Sequence, residues 1–399
     1  MMNTPRGQRL HIGIFGRRNA GKSSLLNAIT EQNIAIVSPI KGTTTDPVYK
    51  SMELLPIGPV VLVDTPGIDD EGMLGEQRIK KTRSILRKTD IALLVVGVDE
   101  DFSADDQALV NLFEEANVKY LTVFNKSISS LSGDCEPGPQ TTWKNEIYVN
   151  ALTRENITEL KEKIARVFET DTTPAHYLIA DLLAPGDVVV LVVHIDESAP
   201  KGRLILPQQQ VIRDILDARG IPIVTQVADL ALTLEKLQYA PQLVVTDSQV
   251  FGPVAEITPQ NIGLTSFSIL MARYKGLLTE AVDGAQAIDT IQTGDHILIS
   301  EGCTHHRQCD DIGTVKIPRW IEARTGAKPV YTFSSGEDFP DDLSKYKLII
   351  HCGGCMLNVR EMQYRQGSAK RSNIPMTNYG VAISHMQGIL QRSIAPLKK

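Results

Sequence analysis

Short apolar runs recur along the chain, each closed by a turn residue or by a stretch of helical spacing. In the first third these are Leu10–Phe15, Val60–Val63, Ile91–Val96, Leu121–Phe124 and Ile147–Val149. Runs that are apolar at every position, not at alternate ones, predict strands buried on both faces, as in a parallel sheet covered by helices. Ser24–Ile29 has helical spacing, and strands alternating with helices predict a doubly wound α/β sheet. The middle repeats the theme on a smaller scale. Asp187–Ile195, Ile221–Val224 and Leu243–Thr246 read as strands, Gln208–Arg219 and Leu230–Leu237 as helices. In the last third His296–Ser300, Pro329–Phe333 and Tyr346–Ile350 read as strands, and Ile262–Tyr274 as a helical connection leading into them. Thr172-Thr173-Pro174 and Ala184-Pro185-Gly186 mark a linker. The division expected is 8–170, 178–262 and 263–399, three α/β domains in series.

Composition narrows the class. A chain of 399 residues accommodates two to four domains at roughly 100–200 residues each. Hydrophobic residues make up 42% and charged residues 22%, ordinary globular usage that excludes wholesale disorder. The 41 basic and 47 acidic side chains leave a net charge of −6, which argues against a protein that coats nucleic acid. No apolar run approaches the ~18–20 residues that span a bilayer. Met1–Leu10 is polar, without the apolar stretch of a secretory signal, so a cytoplasmic location with no membrane partner is expected.

Candidate chemistry begins at the first strand. Gly16-Arg17-Arg18-Asn19-Ala20-Gly21-Lys22-Ser23 fits G-x-x-x-x-G-K-S between a strand and a helix. Glycines let the backbone curl so that N–H groups face phosphate oxygens, and the helix N-terminus adds its positive end. Lys22 supplies a point charge for the β- and γ-phosphates, and Ser23, beside Ser24, a hydroxyl for magnesium. Gly42-Thr43-Thr44-Thr45-Asp46 offers a threonine to magnesium and the γ-phosphate. Asp64-Thr65-Pro66-Gly67 ends a strand, with Asp64 placed to hold magnesium through water and the Gly67 N–H to touch the γ-phosphate. Two further strands end in Asn125-Lys126 and Asn150-Ala151-Leu152.

On these motifs residues 8–170 resemble small GTPases of the translation-factor class, nearest the tRNA-modification and Era-like branch. The resemblance implies GTP and Mg2+ bound at Gly16, Asn19, Ala20, Gly21, Lys22, Ser23 and Ser24, with Thr44, Asp64 and Gly67 as switch residues. It implies that Asn125 and Lys126 face the guanine and that Asn150 and Ala151 close the base pocket. Asn19 matches the asparagine that coordinates K+ in potassium-activated relatives. One departure stands out: the base-reading motif is normally Asn-Lys-x-Asp, and position 128 is Ile128. Loss of that carboxylate blunts discrimination of guanine from adenine. Asp69, Asp70, Glu71 and Glu76 lie in the second switch, and spacing does not choose a water-positioning group among them.

The five cysteines are Cys135, Cys303, Cys309, Cys352 and Cys355, four of them beyond residue 300. An odd number, clustered, in a reducing compartment points to metal or redox chemistry more than to a disulfide framework. The first apolar strand of the last third runs into Glu301-Gly302-Cys303-Thr304-His305-His306, and Tyr346–Ile350 into His351-Cys352-Gly353-Gly354-Cys355. Ligands collect beyond the C-terminal ends of strands in open α/β sheets. A structural zinc site, a redox C-x-x-C pair and a 4Fe–4S cluster on three thiolates all remain open from the residues alone. His194, Cys135, His306 and Cys309 read as ordinary structural or loop residues.

A GTPase, a middle domain without a chemical site, and a Cys-x-His…His-Cys-x-x-Cys domain, in this order, resemble the maturation GTPases of FeFe-hydrogenases, the HydF family. That resemblance covers essentially the whole chain. It implies a 4Fe–4S cluster on Cys303, Cys352 and Cys355, with His305 or His351 as a labile fourth ligand. It implies a scaffold that takes a di-iron precursor from two radical-SAM maturases and passes it to apo FeFe-hydrogenase, and a homodimer or higher oligomer formed by the middle domain. The rival reading is a GTPase with a structural zinc domain acting in RNA modification or ribosome assembly. The acidic balance and the lack of a Lys/Arg stripe with aromatic partners speak against it.

Overall fold

The computed structural model describes residues 6–31, 47–65, 73–98, 101–126, 145–169, 177–195, 204–303, 311–336 and 338–398. The chain divides into two compact units, Met1–Pro174 and Ala175–Lys399.

The first unit is built on six strands: β1 Leu10–Phe15, β2 Val48–Leu54, β3 Gly58–Asp64, β4 Ile91–Gly97, β5 Lys119–Asn125 and β6 Glu146–Val149. Their order is β2-β3-β1-β4-β5-β6, parallel except for the β2–β3 hairpin. Alternate side chains serve opposite faces of the sheet. Ile12, Ile14, Leu93 and Val95 pack with Leu25 and Ile29 of the helix Lys22–Thr30 and with Leu160 and Ile164 of Ile157–Glu169. Phe15, Val63, Leu94 and Val96 pack with Phe113 of Ala104–Glu115 and with Ile85. Each such aliphatic or aromatic side chain removed from water stabilises the fold by about 1.5–3 kcal/mol. The all-apolar runs therefore reflect helices on both faces, as the pattern predicted.

The second unit holds two parallel four-stranded sheets. One comprises β7 Val188–Val192, β8 Ile221–Thr225, β9 Leu243–Thr246 and β10 Gly263–Ser266, ordered β10-β9-β7-β8. The other comprises β11 His296–Glu301, β12 Val330–Ser335, β13 Tyr346–His351 and β14 Met376–Asn378, ordered β12-β11-β13-β14. Ile297, Ile299, Leu348 and Ile350 face Ile317 and Ile321 of the helix Ile317–Thr325. Leu298 and Ile349 face Met362 and Ala369 of the helix Val359–Arg371.

Two local readings change. Residues 262–274 are not helical throughout: Gly263–Ser266 is the strand β10, paired in parallel with β9, and the helix is Phe267–Tyr274. Ser266 marks the switch, because its hydroxyl accepts the Ile269 N–H and caps that helix. The strand β14 has no counterpart among the expected strands, because a run of three residues carries no periodic signal. Among the described residues no helix is long and apolar enough to cross a membrane.

Candidate functional site

Two clusters of chemistry-bearing residues lie at strand ends, one in each unit. In the first, β1 runs into the glycine-rich loop. Gly16 has φ 143°, and a Cβ there would sit 2.3 Å from the Val95 carbonyl oxygen. Gly21 has φ 90°, and its Cβ would stand 2.1 Å from Asn125 Nδ2. No L side chain satisfies either position without moving its neighbour. Lys22, at the first turn of its helix, is buried and folds over the loop, donating from Nζ to the carbonyls of Gly16 at 2.9 Å and Arg17 at 2.5 Å.

Parallel pairing of β1 with β3 sets Ile14 opposite Asp64. Ser23 Oγ donates to Asp64 Oδ2 at 2.7 Å. Burial pushes the Asp64 carboxyl up, opposed by the Ser23 hydrogen bond and the Lys22 charge. Its Oδ1 is buried without a hydrogen-bond partner among the described residues. An orphaned carboxylate oxygen beside a serine hydroxyl is a fit for a hard divalent cation and its waters. Asn125 ties the base side to the loop. Its Nδ2 donates to the Ala20 carbonyl at 3.3 Å and its Oδ1 accepts the Ala151 N–H at 3.1 Å. Asn150, fully buried, accepts the N–H groups of Leu152 and Thr153, each at 3.0 Å. Lys126 pairs with Glu155 at 3.2 Å. Asn19 sits in the left-handed region at φ 64°, and Ser24 follows Ser23 in the first turn of the helix. Thr44, Gly67 and Ile128 lie outside the described residues.

The second cluster depends on β11 and β13 being adjacent and parallel, with Ser300 opposite His351. Both thiol motifs thereby leave the sheet at the same end, and the Cys352 N–H still donates to the Ser300 carbonyl at 2.9 Å. Cys352 Sγ accepts two backbone N–H groups, from Gly302 at 3.0 Å and Gly354 at 3.3 Å. Gly354 takes φ 64°, and a Cβ there would meet Met362 Sδ at 2.7 Å. That left-handed turn carries the chain back to Cys355. All three cysteines are free thiols. Burial, then the charges of Cys355, Glu301 and Asp311, pushes Cys303 up to about 11. Burial first and Cys355 next push Cys352 up to about 12, against the Gly302 and Gly354 N–H groups. Burial also raises Cys355, opposed by Lys275 and by backbone N–H groups. The sulfurs thus sense one another, yet among the described residues no three His, Cys, Asp or Glu side chains gather into a ready metal-holding group. His305, His306, Cys309 and Cys135 lie outside the described residues.

His351 is fully buried, and both ring nitrogens are engaged. Nδ1 meets the Cys352 carbonyl at 2.8 Å and Nε2 meets Arg365 Nη1 at 3.0 Å. Arginine only donates, so Nε2 accepts and Nδ1 carries the proton. Burial, and next the Arg365 charge, lowers His351 to about 3, so the ring is neutral. Arg365, fully buried, also binds Glu361 at 2.9 Å, the Gly336 carbonyl at 2.7 Å and Ser300 Oγ at 3.4 Å, with its guanidinium 5.0 Å from the Phe339 ring centre. This brace behind Cys352 was not singled out from the sequence, although Glu361 and Arg365 stand one helical turn apart on Val359–Arg371.

Residues 178–276 match the family model described as the hydrogen maturase F dimerization domain, and residues 279–396 that of its tetramerization domain. Together they span more than half of the chain. Residues 11–126 match a family described as a 50S ribosome-binding GTPase. The tRNA modification GTPase MnmE of Streptococcus pyogenes serotype M6 is 33% identical over 160 residues, 40% of this chain and 33% of that protein. The serotype M5 protein matches to the same extent. The chain thus spans a third of the length of these curated relatives. Among solved structures, Aquifex aeolicus Era bound to GDP·AlF4− is 20% identical, covering 54% of this chain and 93% of that one, with a TM-score of 0.36. The G domain of the T. maritima FeoB iron transporter is also 20% identical, covering 40% and 99%, with a TM-score of 0.31.

Arg365→Ala leaves Glu361 and His351 buried without their partner. The loss expected is about 3–5 kcal/mol, read from chemical denaturation of the full chain; a change below about 1 kcal/mol would contradict a brace of this kind.

Proposed function

Because the chain belongs to the hydrogen maturase F family, we propose that it is a GTP-hydrolysing scaffold for assembly of the FeFe-hydrogenase active site. It holds a 4Fe–4S cluster on Cys303, Cys352 and Cys355. It receives a di-iron precursor from two radical-SAM maturases and passes it to apo FeFe-hydrogenase in the cytoplasm. The observation that carries this reading is the exit of both thiol motifs from one end of the paired strands β11 and β13, within the segment matching the tetramerization domain.

The donor set fits such a group. Three soft sulfur ligands suit iron–sulfur chemistry. Partial burial raises the pKa of all three thiols, a cost to their charged form that a bound cation offsets. Backbone N–H groups already aim at Cys352 Sγ, the kind of contact that tunes cluster sulfur. When bound, a cluster on three cysteines supplies an iron with one exchangeable position. Both nitrogens of His351 are occupied by Cys352 and Arg365, so His351 orients the Cys352 strand end, and His305 is the candidate for the exchangeable position.

In the first unit, Lys22 and Ser23 serve the phosphates and Mg2+, Asp64 holds the metal's water, and Thr44 and Gly67 report on the γ-phosphate. Asn125, Lys126, Asn150 and Ala151 line the base pocket, and Asn19 adds K+ to the phosphate site. GTP hydrolysis is the reaction the protein itself catalyses. Homodimerization fits the edge strand β8, where Ile221 and Val224 are exposed. The rival reading, a zinc-bearing GTPase that works on RNA, draws on the GTPase family of residues 11–126 and on the named activity of MnmE.

The two sites belong to different compact units, so they should fail separately. Lys22→Ala and Ser23→Ala should nearly abolish GTP hydrolysis and keep wild-type iron. Cys303→Ser, Cys352→Ser and Cys355→Ser should lose iron and hydrogenase activation yet hydrolyse GTP. A Cys303→Ser protein that activates the hydrogenase fully would overturn the scaffold reading.

Hydrolysis should run faster in potassium than in sodium at equal ionic strength, and Asn19→Ala should erase the difference. Equal wild-type rates in the two salts would remove K+ from the site.

Val224→Lys puts a charge on the exposed edge of β8. It should shift the protein to smaller species in light scattering after size-exclusion chromatography, with helix content unchanged. An unaltered assembly would place the contact elsewhere.

A further inference from the structure

Lys275 is 1% exposed, in a unit whose other buried basic side chains among the described residues are Arg365 and the neutral His351. It caps the C-terminal end of the helix Phe267–Tyr274, where its N–H donates to the Met271 carbonyl at 3.0 Å. Its Nζ donates to the carbonyl of Leu357 at 2.6 Å, two residues beyond Cys355. The ammonium is thereby tied to the turn that carries the last thiol. It also lines a small cavity of about 20 Å³ together with His351, Cys352 and Gly353. A space of that size admits about one water molecule, and with Lys275 1% exposed little solvent reaches its charge to screen it.

An apolar side chain would fill this position at far lower desolvation cost, so a buried lysine calls for negative charge nearby. Arg365 is already paired with Glu361. Glu301 and Asp311 are buried on the Cys303 side and add negative charge of their own. Among the described buried groups, three thiolates at this strand end would therefore stand with Glu301 and Asp311, and with Lys275 as a cation outside the Arg365–Glu361 bridge.

We propose that Lys275 is the fixed counter-charge of the three-cysteine site, a positioning residue that stabilises the thiolate set and raises the reduction potential of the cluster it holds. The inference rests on the reading of Cys303, Cys352 and Cys355 as the ligands of a metal cluster. A reduced cluster carries one more negative charge than an oxidised one, so a nearby cation favours reduction and its removal disfavours it.

The test compares the full-length wild type with Lys275→Met, which removes the charge at similar volume, and Lys275→Arg, which keeps it. Redox titration of the reconstituted proteins, followed by EPR, should place the Lys275→Met potential below wild type and Lys275→Arg closer to it. Cobalt(II) titration of the apoproteins, read at the thiolate-to-cobalt absorption band, should show affinity weakened about ten-fold or more in Lys275→Met. Loss of iron from Lys275→Met with retention in Lys275→Arg also supports a charge role. Unchanged potentials and cobalt affinity in Lys275→Met overturn the inference while the cluster reading stands. Equal loss of metal from both variants, with wild-type helix content, makes the requirement one of shape and overturns it too. A wild type that takes up neither iron nor cobalt overturns the cluster reading and this inference with it.

Discussion

At the shared end of β11 and β13, Cys303, Cys352 and Cys355 are half-buried, and their partial removal from water raises the pKa of each thiol. A thiolate is the form that binds metal, and burial disfavours it. The surrounding residues act on that conflict. Gly302 and Gly354 turn N–H groups toward Cys352, Lys275 brings a positive charge to the Cys355 turn, and the Arg365–His351 pair fixes the strand end from behind. None of these groups replaces a cation at the sulfurs. A site arranged this way gains most from a bound cation, which is a feature the scaffold proposal rests on.

The nucleotide site handles charge differently. Its positive groups are in place before any phosphate arrives: Lys22 rests on the carbonyls of its own loop, and the helix Lys22–Thr30 points its N-terminus into that loop. Asn125 Nδ2 stands where a Cβ on Gly21 would fall and donates to the Ala20 carbonyl, which ties the end of β5 to the glycine-rich loop. Asp64 is buried with one oxygen unpartnered among the described residues, an arrangement that fits a divalent cation and its waters.

Motifs with fixed spacing were legible in the sequence, and so were the strands that present them, because burial on both faces makes a run apolar at every position. The glycine-rich loop, Asp64, Asn125 and the C-x-x-C turn stand where that reading put them, each at a strand end. What escaped are groups whose role comes from tertiary contact. Lys275 looks like any lysine closing a helix, and Arg365 like any surface arginine of an amphipathic helix, until parallel pairing brings the cysteine strand ends against them. The strand β10 escaped because Gly263-Leu264-Thr265-Ser266 is short, polar at its end, and followed at once by a helix that its last residue caps.

The central claim is that the C-terminal thiols hold iron and sulfide. Metal and sulfide analysis of anaerobically purified, full-length protein, with Mössbauer spectra of the same sample, addresses it directly. Iron and inorganic sulfide in equal amounts, with the spectrum of a 4Fe–4S cluster and negligible zinc, is the result the account predicts. Colourless protein carrying stoichiometric zinc and no sulfide would contradict it.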